Sequence, residues 1–147
     1  MAPDESWRVD PTRDAPRKAR EWIDQVMRRW DLHDPDGVAD VLTSELVTNA
    51  VRYAGSRQIV LHLMWEHGRL RVEVEDDGSG TVDPKRPDPR RGDGYGLVLV
   101  ERLADRWGWD PIDSGRNVWF ELALRRSRAG PESCGGALTP PRARHQP

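Results

Sequence analysis

The chain has 147 residues, 36% hydrophobic and 33% charged, with a formal net charge of −2. That length suits one domain with its own core, and the balanced charge argues against general nucleic-acid binding, which rests on a basic excess. The single cysteine, Cys134, excludes an internal disulfide and a thiolate zinc site. With no apolar run at the N-terminus and no stretch near the ~20 apolar residues that span a bilayer, a cytoplasmic protein without membrane contact is expected.

Residues 1–11 read as an irregular or short extended lead-in, 12–125 as the folded domain, and 126–147, rich in Pro, Gly, Ser and Arg, as a disordered tail. The first helix is expected from about Ala15 to Leu32, because Trp22, Ile23, Val26, Met27 and Trp30 recur at helical spacing. His33-Asp34-Pro35-Asp36 breaks it; Asp34 suits a cap and Pro35 a first helical position. A second helix should then run to about Ala54 and stop at Gly55. Two alternating segments follow, Ile59–Glu66 and Arg69–Asp76, joined by a turn over Glu66-His67-Gly68-Arg69. Residues 77–95 are rich in glycine and proline without periodicity, the mark of a long and often functional loop. A third helix is expected from about Tyr95 to Trp107, and a last hairpin pairs about Arg106–Pro111 with Asn117–Leu124 around Asp113-Ser114-Gly115. Helices mixed with antiparallel hairpins imply an α+β two-layer sandwich, a mostly antiparallel sheet with helices on one face.

Three features break this pattern. On a wheel started at Val38, the residues Val41, Leu42, Leu46 and Tyr53 share an apolar arc, and Glu45 and Asn49 fall in its middle, side by side at i, i+4. Burying an ionised carboxylate is costly, so this face reads either as a solvated rim or as the lining of a polar cavity. Asp76 continues the inward parity of Leu70, Val72 and Val74, though Asp-Asp-Gly is also ordinary turn chemistry. Finally, Gly78 and Gly80 end the strand while Gly92, Gly94 and Gly96 open the third helix, where glycines admit a ligand and helix-start N–H groups favour phosphate. No lysine follows as it does in a Gly-x-x-x-x-Gly-Lys loop.

Taken in order, Glu-x-x-x-Asn-Ala on a helix, a hairpin, Asp-x-Gly-x-Gly, a long loop and Gly-x-Gly-x-Gly-Leu into a helix, the chain resembles the GHKL ATP-binding fold of gyrase, MutL and histidine kinases. It is most similar to anti-sigma-factor serine kinases of the RsbW and SpoIIAB type, whose asparagine box matches Ser44 to Ala54. The resemblance covers about residues 10–125. It implies that Asn49 holds Mg²⁺ bridging the phosphates of ATP, that Glu45 is the general base, and that Asp76 accepts a hydrogen bond from the adenine amino group near Gly78 and Gly80. Gly92, Gly94, Tyr95, Gly96 and Leu97 would belong to the lid over the phosphates. Arg90 and Arg91 either approach the γ-phosphate or are solvated. Tyr95 and Tyr53 depart from the small apolar residue and the histidine usual at those positions. The implied partners are a sigma factor and a STAS-type anti-sigma antagonist protein phosphorylated on serine, with a homodimer also implied; a non-catalytic switch and a stand-alone ATPase are the alternatives.

Overall fold

The computed structural model describes residues 2–53, 58–78 and 95–126. Its elements in chain order are β1 (Asp4–Val9), α1 (Ala15–Arg29), β2 (Leu32–His33), α2 (Val38–Tyr53), β3 (Ile59–Glu66), β4 (Arg69–Asp76), α3 (Tyr95–Leu103), β5 (Arg106–Ile112), β6 (Gly115–Ala123) and β7 (Arg125–Arg126). Five strands form one antiparallel sheet in the order β1-β3-β4-β6-β5, and β2 pairs with β7 alongside. The helices pack on one face, with α2 against both α1 and α3. The expected α+β sandwich is the observed architecture.

Strand alternation decides which residues fill the space between the layers. Ile59, Leu61, Leu63 and Trp65 of β3, Leu70, Val72 and Val74 of β4, and Val118, Phe120 and Leu122 of β6 are buried against Ala19, Ile23 and Val26 of α1 and Leu42, Leu46 and Val47 of α2. Full burial of each large side chain contributes roughly 1.5–3 kcal/mol. Trp7 of β1 stacks on Trp22 of α1, ring centroids 5.5 Å apart, and so fastens the edge strand to the first helix. On the opposite face of the sheet, Arg71 lies 4.0 Å from the Trp119 ring and bonds Glu73 and Glu121 at 2.6 and 2.9 Å.

The boundaries differ from the sequence expectations in several places, each for a local reason. The lead-in segment takes the extended of its two expected forms: it contributes β1, which pairs with β3 over its whole length. Helix α1 ends at Arg29, not Leu32, because Asp31 turns to φ 56° and Leu32-His33 extends to pair with Arg125-Arg126. Arg126, assigned to the tail, is therefore in a strand, and the rest of that tail lies outside the described residues. Asp34 does cap α2, accepting from the N–H groups of Val38 and Ala39 at 3.2 and 2.9 Å. The helix starts at Val38, so Pro35 is not its first residue; Gly37, at φ 67°, makes the intervening turn. Helix α3 stops at Leu103, and Trp107 belongs to β5, since the β6 ladder claims Arg106 onward. The β3–β4 turn is as expected: His67 and Gly68, at φ 54° and 76°, give the two left-handed residues of a tight hairpin.

Candidate functional site

Asp76 ends β4 on the inward face, as its parity requires, and its side chain is 1% exposed. Directly across the ladder stands Arg116, the first inward residue of β6. Its Nε donates to both carboxylate oxygens, at 3.2 and 3.3 Å, and the Gly78 N–H donates to Oδ1 at 2.7 Å. Burial pushes the Asp76 carboxyl above its ordinary value; the Arg116 charge and the Gly78 N–H oppose that rise, and the neighbouring Asp77 adds to it. Gly115 makes this corner possible. At φ 150°, a Cβ there would sit 1.9 Å from the Asp76 carbonyl oxygen, so only glycine lets β6 begin this close to the end of β4.

Helix α2 crosses the same layer with Ala39, Leu42, Thr43, Leu46, Val47 and Ala50 buried. The apolar arc is therefore displaced from the one drawn on the wheel: Val41 is 41% exposed, and Glu45 and Asn49 are half-buried on the flank of the stripe, not in its middle. At 100° per residue they lie about 130° and about 90° from its centre. The displacement has a physical cause. Helix α2 must bury one side on the sheet and another on α1, where Arg20 donates to Ser44 Oγ at 2.9 Å and Asp24 bonds Asp40, and that double contact rotates the stripe. Neither Glu45 nor Asn49 has a side-chain hydrogen bond or ion pair among the described residues, and burial alone raises the Glu45 carboxyl above its ordinary value. The flank thus presents a carboxylate made more basic by burial and an amide one turn apart, neither with a side-chain partner among the described residues.

Of the remaining expected site residues, Tyr95, Gly96 and Leu97 fall in the first turn of α3, while Gly80, Arg90, Arg91, Gly92 and Gly94 lie outside the described residues. Of the expected site, the described residues therefore hold the part on α2, at the β4–β6 corner and at the start of α3. A groove of about 440 Å³ between His33–Val38, Leu103 and the β6–β7 junction, and another of about 390 Å³ over Arg69, Arg71 and Glu121, are elsewhere and touch none of Glu45, Asn49 or Asp76. Among the described residues no cluster of three His, Cys, Asp or Glu can hold a metal ion, and no helix is long and apolar enough to cross a membrane. Sequence reasoning missed Arg116. The signal was available: Val118, Phe120 and Leu122 point inward, and the same parity carries Arg116 to the face that holds Asp76.

An antiparallel sheet under three helices, with a carboxylate sunk at the end of its second strand of the β3–β4 hairpin and Glu-x-x-x-Asn on the facing helix, agrees with a family comparison. Residues 9–122 match the histidine kinase-like ATPase domain. The chain belongs to that family. No curated protein matches it. Membership makes this a GHKL-type domain, and ATP binding follows from it.

Proposed function

We propose that the protein is a Mg²⁺-dependent protein-serine kinase and binding switch, an anti-sigma factor that phosphorylates a STAS-type antagonist and releases or holds a sigma factor accordingly. The observation that carries this reading is Glu45: a half-buried carboxylate without a charge partner among the described residues, raised in basicity by burial, one helical turn before Asn49. A carboxylate kept only for structure would be capped or paired; this one is held ready to take a proton.

The donor set fits the group it would hold. The Asn49 amide oxygen is a hard, neutral ligand without a competing hydrogen bond among the described residues, and Mg²⁺ bound chiefly by phosphates and water needs few protein ligands. With ATP bound, Mg²⁺ held there would neutralise phosphate charge. Asn49 would orient the phosphates, and Glu45 would accept the proton of the substrate serine. The serine oxygen forms its bond to the γ-phosphorus as the bond to the leaving ADP oxygen breaks. Asp76 would fix the base at the far end of the site.

Calorimetric titration and single-turnover transfer test the assignment together. Asn49→Ala should lose Mg·ATP binding. Glu45→Gln should retain it and transfer phosphate to a cognate antagonist about 10²–10⁴-fold more slowly. Transfer by Glu45→Gln at the wild-type rate would remove the catalytic reading and favour the second one, a non-catalytic ATP-binding switch acting through protein contacts alone. Steady phosphate release without any acceptor would instead favour a stand-alone ATPase.

A further inference from the structure

The row that joins β4 to β6 across the inner face is apolar for three rungs, Leu70 with Leu122, Val72 with Phe120 and Val74 with Val118. Its fourth rung is Asp76 with Arg116, side chains 1% and 5% exposed. Stability does not require this. A buried ion pair is commonly matched by apolar residues of similar volume, because both charges must first be taken out of water. An aspartate alone at the rung would serve as an acceptor, and a plain apolar pair would serve the core. The arginine therefore calls for a role that involves the aspartate.

The bonding supplies one. A carboxylate has about four lone-pair positions. The Gly78 N–H takes one on Oδ1, and the Arg116 Nε is shared between the two oxygens. Oδ2 keeps capacity for another donor among the described residues. Resting on the reading of this corner as the base end of a nucleotide site, we propose that Arg116 sets which purine the site accepts, by holding Asp76 as a carboxylate. A carboxylate accepts a hydrogen bond from a 6-amino group and repels a 6-oxo group. A protonated carboxyl would donate to a 6-oxo group equally well, and the discrimination would be lost. Arg116 is thus a positioning residue that acts through Asp76.

The surroundings make its charge necessary. Burial drives Asp76 toward the protonated form, and Asp77 beside it pushes the same way. Arg116 is the cation that opposes both, and neither α2 nor β3, the other elements packed on β4, brings a further charge to Asp76 among the described residues.

The test compares ATP with inosine triphosphate, which differs in carrying a 6-oxo group. Affinities are measured calorimetrically across about pH 5 to 8 for wild type, Arg116→Gln and Arg116→Lys. Wild type should prefer ATP, with the preference failing only toward acid. In Arg116→Gln the failure should begin at higher pH, with ATP affinity falling about tenfold per pH unit below the new midpoint; Arg116→Lys should restore much of the wild-type profile. Coincident pH profiles for wild type and Arg116→Gln overturn the inference while leaving the nucleotide site intact. Failure of folded wild type to bind either nucleotide removes the site and the inference together. Should Arg116→Gln not fold, carboxyl carbon NMR on wild type and Arg116→Met decides: the Asp76 midpoint must be higher in the methionine variant, which lacks the cation, and an identical midpoint refutes the role of Arg116.

Discussion

Replacing Asp40 by asparagine is expected to stabilise the protein at neutral pH and to do far less in acid. Asp40 lies on the α1-facing side of α2. Burial, a hydrogen bond to Asp24, and the charges of Asp24 and Asp34 together push its carboxyl from 3.8 to about 7, against a smaller opposing pull from Arg20. The sign follows from proton counting. Between these two values the folded protein keeps a proton that the unfolded chain releases, so stability falls as pH rises from about 4 to about 7 and stays low above that. At about 1.4 kcal/mol per pH unit the whole interval would amount to about 4 kcal/mol. Asp40 is only half-buried, and solvent screening reduces this to ~1–2 kcal/mol. Asparagine presents a neutral donor to Asp24 at every pH and removes the loss. Urea unfolding of wild type and Asp40→Asn at about pH 4.5 and about pH 8 measures the effect as a difference in midpoint at constant slope. An equal change at both pH values, or a destabilisation at pH 8, would refute the argument that the Asp24–Asp40 contact is held together by a proton.

Asp34→Ala should cost about 1 kcal/mol through loss of the α2 cap, and less at about pH 8 than at pH 4.5, because removing the Asp34 charge also relieves Asp40; urea unfolding at the two pH values measures both terms. Gly115→Ala should destabilise by ~2 kcal/mol or more, since its Cβ would meet the Asp76 carbonyl at 1.9 Å. Gly68→Ala, at φ 76° with open space around it, should cost only about 1–2 kcal/mol; thermal scans rank the two, and the reverse ranking would place the strain at the wrong hairpin. Because burial raises the Glu45 carboxyl, the acid limb of single-turnover phosphotransfer should lie above the ordinary carboxylate range, and it should vanish in Glu45→Gln.

Much of this architecture is legible in the chain because each strand has one buried face, so alternation fixes direction. Ile59 to Trp65 and Leu70 to Val74 can be read only one way, and Asp76 inherits its inward orientation from them. The ends of helices are less legible. The periodicity of α1 continues through Trp30, which is buried and still donates to the Val26 carbonyl, yet the chain leaves the helix there because Leu32-His33 finds a partner strand more than ninety positions later. No local pattern in the sequence carries that pairing. The same holds for α3, which stops where β6 takes up Arg106 and Trp107.

Helix α2 shows a subtler limit. Its apolar residues define an arc, but α2 buries two sides at once, one on the sheet and one on α1, and the true stripe is rotated toward α1. The wheel puts Glu45 and Asn49 in the middle of the apolar stripe, whereas the structure puts both half-buried on its flank. The opposite holds for Arg116, whose inward position follows from parity but whose meaning appears only when β6 is laid beside β4. What a sequence lacks in both cases is the partner. It locates polar groups that the core cannot ignore; it does not say which are tied and which are free. Asp76 is tied, by an arginine and a backbone N–H that oppose the rise burial imposes on its carboxyl. Glu45 has no such partner among the described residues, and burial has made it more basic. Under the proposed function, the first kind of carboxylate would serve recognition and the second proton transfer, and that division would separate the base end of the site from its reacting end.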